Sequence, residues 1–507
     1  MQLGFRALMD PLRPARAASL ESLLDAPAGV ELPRVVPLAQ QCRELRGKLR
    51  GELLAGGFVW LASGDLVTRN ADVHHPYRPA SDFFYLAGVA EPGWGCLLDL
   101  ETGAFTLVAP RVPEDLAIWS GPRPSLDDVA SQVGADAAIY SEDVKGLLEA
   151  KASASNGGGG SSSSGLMVHT LEEMAPALAA AGVDGEGSVR LTTDFLPAAL
   201  ARSRGRKTVA EIACLLEANR VSAAAHEAIW RSCRPGCYEY QLEAAFVSSC
   251  MGAGLRQLGY PAIVGSGRNA GVLHYDRNSS VVGRDDLVLV DAGAEFRCYT
   301  ADITRTFPAA GAFTAQSRAV YDLTLAMQTA ALARVQAGAD WKADVDAPAR
   351  RLMLEGLSGM GLVRGDIEAM LTARVDRIFC PHGLGHHLGL DVHDTSDTGA
   401  VPATLEAGHV VTVEPGVYFM PLLVQRALAN PEQRDFLNAK ELEGWMGLGG
   451  VRIEDNVALM PAGVKGGGEG AGGVLNLTAA AGAAPKAADA IEAVMAAGAA
   501  AGAARQR

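Results

Sequence analysis

The sequence predicts an α+β fold in two folded domains, and three observations carry that expectation. A chain of 507 residues exceeds what one hydrophobic core ordinarily organises. Residues 35–200 alternate a helical pattern with short apolar runs separated by Gly, Pro and acids. Residues 205–462 open on a long helical periodicity and then mix strands with helices. The flanks, 1–34 and 463–507, read as a disordered or weakly targeting segment and a Gly/Ala-rich tail.

In the first domain, residues 40–54 carry charges on one face of a predicted helix. The apolar runs 58–62, 96–100 and 105–109 then read as strands. A Gly/Ser tract within 152–165 has no side chains with which to bury surface and is expected to be a flexible insertion. From Thr208, the residues Ile212, Leu215, Leu216, Val221 and Ile229 share one helical face. His226 in that helix is expected at the surface. A second helix is expected over 239–253, and strands over 262–264, 281–282 and 287–290. Helices follow over 316–335 and 343–357, then strands over 410–413, 417–419 and 451–459. Gly265-Ser-Gly-Arg-Asn-Ala-Gly271 leads into 272–275, which reads as a strand and not as the helix a dinucleotide loop requires. The tail is expected to be largely disordered, with one helix around 487–497.

Composition narrows the function. The net charge is −14 and no Lys/Arg cluster stands out, which argues against a nucleic-acid binder. No apolar run reaches the roughly 20 residues that span a bilayer, so no membrane association is expected. Eight scattered cysteines, of which only Cys233 and Cys237 are close, fit reduced thiols better than a zinc site. A cytoplasmic location is expected, or a plastid or mitochondrion if the Arg-containing N-terminus is a transit peptide.

Five segments place acids or histidines at strand ends or beside glycines. They are Leu287-Val-Leu-Val-Asp-Ala-Gly-Ala-Glu295, Thr300-Ala-Asp-Ile-Thr-Arg-Thr-Phe-Pro308, Pro381-His-Gly-Leu-Gly-His-His-Leu-Gly-Leu-Asp-Val-His-Asp394, Val410-Val-Thr-Val-Glu-Pro-Gly-Val-Tyr418 and Gly449-Gly-Val-Arg-Ile-Glu-Asp-Asn-Val457. An acid closing one apolar run is ordinarily a solvated turn residue. Several such acids beside a segment with four histidines suggest a buried carboxylate cluster, whose mutual repulsion divalent cations offset. Carboxylates with one imidazole suit Mn²⁺, Fe²⁺ or Co²⁺.

These five segments resemble the signature of the pita-bread metallopeptidases, the family of methionine aminopeptidase, aminopeptidase P and prolidase. Tyr77-Arg-Pro-Ala-Ser-Asp-Phe-Phe-Tyr-Leu-Ala-Gly-Val-Ala-Glu-Pro-Gly93 resembles the creatinase-like N-terminal domain of the latter two. The resemblance implies two divalent metal ions, taken as Mn²⁺, held by Asp291, Asp302, His386, Glu414 and Glu454. It further implies that Asp302 and Glu454 bridge the ions and that Glu414 accepts the proton of the attacking water. His393 and His274 match histidines of the site, His393 as donor to the tetrahedral oxyanion. His382 is either a packing residue or a group near the substrate. Arg452 either orients bridging carboxylates or faces substrate, and Thr304 is a supporting partner. A homodimer acting on proline-containing di- or oligopeptides is implied.

The branch is less sharply marked. Phe379-Cys-Pro-His-Gly-Leu-Gly-His386 and the stretch from Tyr418 to Glu454 resemble eukaryotic prolidase, a Xaa-Pro dipeptidase, which is the first expectation. Asp302-Ile-Thr-Arg-Thr-Phe-Pro308 leans toward Xaa-Pro aminopeptidase, the alternative. A non-catalytic binding module is the remote third reading. Prolidases of this kind carry an Arg between the Asp-Val-His-Asp motif and the Val-Glu-Pro-Gly strand, where a guanidinium fork grips the dipeptide carboxylate. Residues 395–413 contain neither Arg nor Lys.

Overall fold

The computed structural model describes residues 32–156, 165–395, 403–461 and 473–505. The polypeptide divides into two units between Gly205 and Arg206. The Gly/Ser tract over 157–164, the N-terminal 31 residues and most of the Gly-rich stretch after Pro461 lie outside the described residues.

The first unit, residues 35–205, is built on a six-stranded sheet. Helix α1 (Leu38–Glu52) precedes strands β1 (Phe58–Ala62), β2 (Gly95–Asp99), β3 (Phe105–Ala109), β4 (Ala137–Tyr140), β5 (Leu166–His169) and β6 (Val189–Thr192). Their spatial order is β4-β3-β2-β1-β5-β6. The β1–β2 and β2–β3 pairs are antiparallel, and the outer pairs are parallel. Every residue of β1 and β2 is buried, as their unbroken apolar runs require of a sheet covered on both faces. Helix α2 (Val144–Asn156) runs five residues into the stretch expected to be a flexible insertion, correcting that boundary. Helix α3 (Leu196–Gly205) closes the unit.

The second unit opens with α4 (Val209–Ser232). A capping box starts it: the Thr208 hydroxyl accepts from the Glu211 N–H, and the Glu211 carboxylate accepts from the Thr208 N–H. Helix α5 (Glu239–Gly252) packs on it, ahead of β7 (Ile263–Ser266), β8 (Leu287–Asp291) and β9 (Thr304–Pro308). These three strands form an antiparallel sheet with β8 central. Helices α6 (Ala315–Leu332) and α7 (Ala347–Gly359) follow, α7 being preceded by a π-helical turn over Trp341–Asp346 that the periodicity did not distinguish from the helix. Then come β10 (Val410–Val413), β11 (Gly416–Tyr418), β12 (Gly450–Arg452) and β13 (Asp455–Leu459). Strand β10 pairs with β13, and β11 with β12.

Three expectations are corrected here. Residues 272–275 form a turn after a short 3₁₀ helix, not a strand. His226 is fully buried. Its Nε2–H donates to the Ala292 carbonyl at 3.1 Å, and its ring packs edge-on against Phe246. The tail is ordered where described. Strand β14 (Val474–Asn476) pairs with β13, and α8 (Ala488–Arg505) packs on α4. Asn476 and Lys486 both bond the Asp455 carboxylate, at 2.7 and 2.6 Å. No helix among the described residues is long and apolar enough to cross a membrane.

Candidate metal centre and active site

The strand register brings distant acids to one place. Asp291 ends β8 directly opposite Thr304 on β9, and Asp302 lies two residues before Thr304. Glu454 sits between β12 and β13, where its N–H bonds the Thr304 carbonyl at 3.0 Å. The Asn456 side chain brackets the backbone of Asp302, accepting from its N–H at 3.0 Å and donating to its carbonyl. Glu414 follows β10, and its N–H bonds the Leu384 carbonyl at 2.9 Å. His386 is bonded through its backbone to Thr412 on β10. Gly385, beside it, has no room for a Cβ, because one would run into the Thr412 carbonyl.

The five side chains expected as ligands converge. Ligand atoms of Asp302, His386 and Glu454 lie within 4.8 Å of one another. His386 Nε2 is 3.3 Å from Asp302 Oδ2 and 3.6 Å from Glu414 Oε1. Asp291 Oδ1 and Asp302 Oδ1 flank the Tyr260 hydroxyl at 2.7 and 2.6 Å. A carbonyl oxygen only accepts, so His386 Nδ1 carries the proton it gives to the His387 carbonyl at 3.0 Å. That leaves Nε2 facing the carboxylates.

Electrostatics show a site short of positive charge. Burial, and then Asp302, Glu414 and Asp291, push the Glu454 carboxyl well above the usual range. Burial also raises Glu414, and lifts Asp291 to about 6 against the pull of Arg452. Asp302 stays low: burial opposes its ionisation, but the hydrogen bond and charge of His386 outweigh it. His386 rises to about 9, because its carboxylate neighbours overcome the cost of burial. Glu454 Oε1 is buried with no hydrogen-bond partner. The Tyr260 hydroxyl has one proton for two carboxylate oxygens. Four carboxylates, one imidazole and an orphaned oxygen fit two divalent cations, whose charge would balance the carboxylates.

Arg452 is buried and supports this cluster from behind. Its Nη2 bonds Asp291 Oδ2 at 2.6 Å, its Nε bonds Thr304 Oγ1 at 3.0 Å, and its Nη1 bonds the Tyr418 hydroxyl at 3.0 Å. Thr304 in turn donates to Glu454 Oε2 at 2.6 Å. Of the two roles left open for Arg452, this geometry favours orienting carboxylates. His382 Nδ1–H donates to the Gly383 carbonyl at 2.6 Å, so its Nε2 accepts from the Tyr418 hydroxyl at 2.8 Å. Burial holds its pKa below the ordinary value. His382 is thus the neutral end of a chain running Arg452, Tyr418, His382.

His393 packs its ring edge-on against His386, centroids 4.3 Å apart, and is exposed to the cavity. His274 lies near enough to depress the His393 pKa, after burial and His386. The buried Asp394 beside His393 pairs with Lys207 at 2.8 Å. The five expected ligands, Tyr260, Arg452, His274, His382 and His393 line one cavity of about 840 Å³ whose wall also includes Trp341, Lys342, Asp346 and Arg377.

The sequence reading missed Tyr260, Tyr418 and Asn456 as site residues. Tyr418 follows Glu414 by four residues in a segment already singled out, and strand alternation after the Pro-Gly turn would have aimed it inward. No local signal marks Tyr260. His387, next in sequence to His386, packs edge-on against His409, with 4.9 Å between ring centroids.

Comparison with known proteins agrees with this geometry. The model of metallopeptidase family M24 matches residues 213–460, and that of the aminopeptidase P N-terminal domain matches residues 42–157. A probable Xaa-Pro aminopeptidase of Ajellomyces capsulatus is 36% identical over 76% of this chain and 83% of its own length. One from Aspergillus niger is 34% identical over 84% and 90%. Among solved structures, Escherichia coli aminopeptidase P in complex with substrate superposes with a TM-score of 0.76 at 30% identity, over 92% of this chain and 99% of that one. The Yersinia pestis proline aminopeptidase P II gives 0.74 at 31%, over 90% and 99%. The chain therefore belongs to metallopeptidase family M24, with an aminopeptidase P N-terminal domain ahead of its pita-bread peptidase domain.

Proposed function

We propose that this metallopeptidase is a Xaa-Pro aminopeptidase, removing the N-terminal residue from peptides whose second residue is proline. The observation that carries the reading is the carboxylate–imidazole cluster at the wall of the 840 Å³ cavity, in a chain matching Xaa-Pro aminopeptidases over most of their length. The Xaa-Pro dipeptidase expected first has less support. The relatives carry the aminopeptidase name, and residues 395–413 offer no cation for a dipeptide carboxylate. Mn²⁺ is the proposed metal, on the chemistry of four carboxylates and one imidazole.

When bound, two divalent cations lower the pKa of water and neutralise charge developing on the scissile carbonyl. Asp291, Asp302, His386, Glu414 and Glu454 hold them. Glu414 is the proton acceptor in this reading. Its carboxylate lies 3.6 Å from His386 Nε2 and 3.6 Å from His382 Nδ1, at the cavity wall where the attacking water must sit. His393, exposed to the cavity beside His386, donates to the oxyanion from its ring N–H. His274, on the wall of the same cavity, faces the substrate in this reading. The Arg452–Tyr418–His382 chain fixes the ligand carboxylates and keeps His382 neutral, so that its Nδ1–H, already given to Gly383, is not free to protonate Glu414.

The test is the ratio of kcat/KM for Gly-Pro-Ala to that for Gly-Pro with Mn²⁺-loaded protein. A ratio well above one is expected. A ratio well below one returns the dipeptidase reading, and no hydrolysis of either peptide leaves the binding module.

A further inference from the structure

Glu239, the first residue of α5, is a fully buried carboxylate with no part in the metal cluster. Its Oε1 accepts from the Ser266 N–H at 2.7 Å, the Ser266 hydroxyl at 2.7 Å and Asn269 Nδ2 at 3.0 Å. Its Oε2 accepts from the Tyr275 hydroxyl at 2.8 Å and the Ser280 N–H at 2.8 Å. Five donors therefore meet on one side chain, and all five come from the segment between Ser266, which ends β7, and Ser280. The backbone of Glu239 adds a sixth tie, its N–H bonding the Ser280 carbonyl at 3.0 Å. Asn269 Nδ2, with two hydrogens to share, also lies 3.0 Å from the Tyr275 hydroxyl and 2.9 Å from Ser280 Oγ.

The segment so tied holds no strand and only one short 3₁₀ turn. It carries Leu273, His274 and Asp276 into the cavity wall. The His274 ring is exposed there, and no hydrogen bond to a described residue fixes it. Its place is set by the backbone on which it rides. A carboxylate suits this task better than an amide. Hydroxyl and amide donors can turn away, but the Ser266 and Ser280 N–H groups are fixed by the backbone and sit on different oxygens of Glu239. A glutamine would present its own NH₂ to one of them whichever way it turned.

We propose that Glu239 is a positioning residue for the reaction: it clamps the 266–280 loop and thereby holds His274 in register with the metal cluster. This rests on the aminopeptidase reading for what His274 does, but not for the clamp itself. The ligand-bearing strands make no hydrogen bond to the Glu239 side chain, so metal content is expected to survive its replacement.

The experiment compares wild type, Glu239→Gln, His274→Ala and the double variant, each Mn²⁺-loaded with metal content measured. Glu239→Gln should lower kcat/KM on Gly-Pro-Ala about tenfold to hundredfold, the scale of a small misplacement of a reacting group. In the His274→Ala background the same substitution should have almost no effect, because the residue it positions is gone. Equal losses in both backgrounds would overturn the proposal. A second readout needs no turnover: amide hydrogen exchange should rise across 266–280 in Glu239→Gln while 287–308 stays protected. Unchanged exchange in the loop would overturn the clamp even if activity fell. If Glu239→Gln does not fold, Tyr275→Phe removes one of the five donors and is put through the same comparison. If wild type cleaves nothing, the aminopeptidase reading fails, and the exchange measurement still decides the clamp.

Discussion

Glu454→Gln should separate folding from metal binding. Without metal, burial and three neighbouring carboxylates favour the neutral form of the Glu454 carboxyl. The substitution then replaces one neutral group with another of nearly the same shape, and the Thr304 hydroxyl still finds an oxygen. The stability of the metal-free protein should change by less than about 1 kcal/mol. With metal the balance differs, because one of the four ligand charges is lost. Two unit charges about 4 Å apart interact by about 4 kcal/mol at an effective dielectric constant near 20. That corresponds to about three decades of affinity at roughly 1.4 kcal/mol per decade. The assay is thermal unfolding with and without Mn²⁺, alongside metal content after dialysis. The variant should unfold with the wild type when metal-free and lose most of the metal-dependent stabilisation. A variant that keeps the full metal-dependent rise, or that collapses without metal, would refute the reading of Glu454 as a buried carboxyl that tends to the neutral form until a cation binds.

Other expectations follow from the same contacts. Arg452→Lys replaces three nitrogens bonded to three different groups by one ammonium, so metal affinity or kcat/KM should fall about 10–100-fold, checked by metal titration and steady-state kinetics. Metal uptake should release protons at pH 7, since the His386 imidazole, with its pKa at about 9, is protonated in the metal-free cluster and burial beside other carboxylates favours the neutral form of Glu454. Calorimetric titration in buffers of different ionisation enthalpy reads this directly. The sign also bears on stability. A carboxyl raised to about 6, as at Asp291, makes the metal-free fold less stable as pH rises from about 4 through 6, and bound metal should remove that loss. Cys237, drawn down to about 6 chiefly by its hydrogen bond from Cys233, should be alkylated by iodoacetamide at pH 7 ahead of the other thiols, as read by peptide mapping.

The carboxylate–imidazole cluster was legible because each of its acids closes an apolar run or sits in a Gly-flanked motif, a local signal that survives without coordinates. Asp291 after Leu-Val-Leu-Val and Glu414 after Val-Val-Thr-Val are of this kind. What supports the ligands was less visible. Asn456 grips the backbone of Asp302 across 154 positions, and Tyr260 reaches Asp302 across 42. Nothing near either residue announces such a partner. His226 was misplaced because its helix packs on two sides, against Phe246 and the loop after β8, so no polar face marks the solvent. The helix expected around 487–497 is present, but the order of 473–487 was hidden by the tail's Gly/Ala content. Small side chains let α8 pack closely on α4: a Cβ at Gly498 would lie 2.6 Å from the Arg231 Cα. The N-terminal sheet was legible in its first three strands, whose continuous apolar runs are those of a sheet buried on both faces.

The most direct test is to strip the protein with chelator, return Mn²⁺ in measured equivalents, and follow release of free glycine from Gly-Pro-Ala. Glycine release should be absent without metal and rise to a plateau at two equivalents per chain. Release from the stripped protein, or none at two bound equivalents, would contradict metal-dependent cleavage before proline.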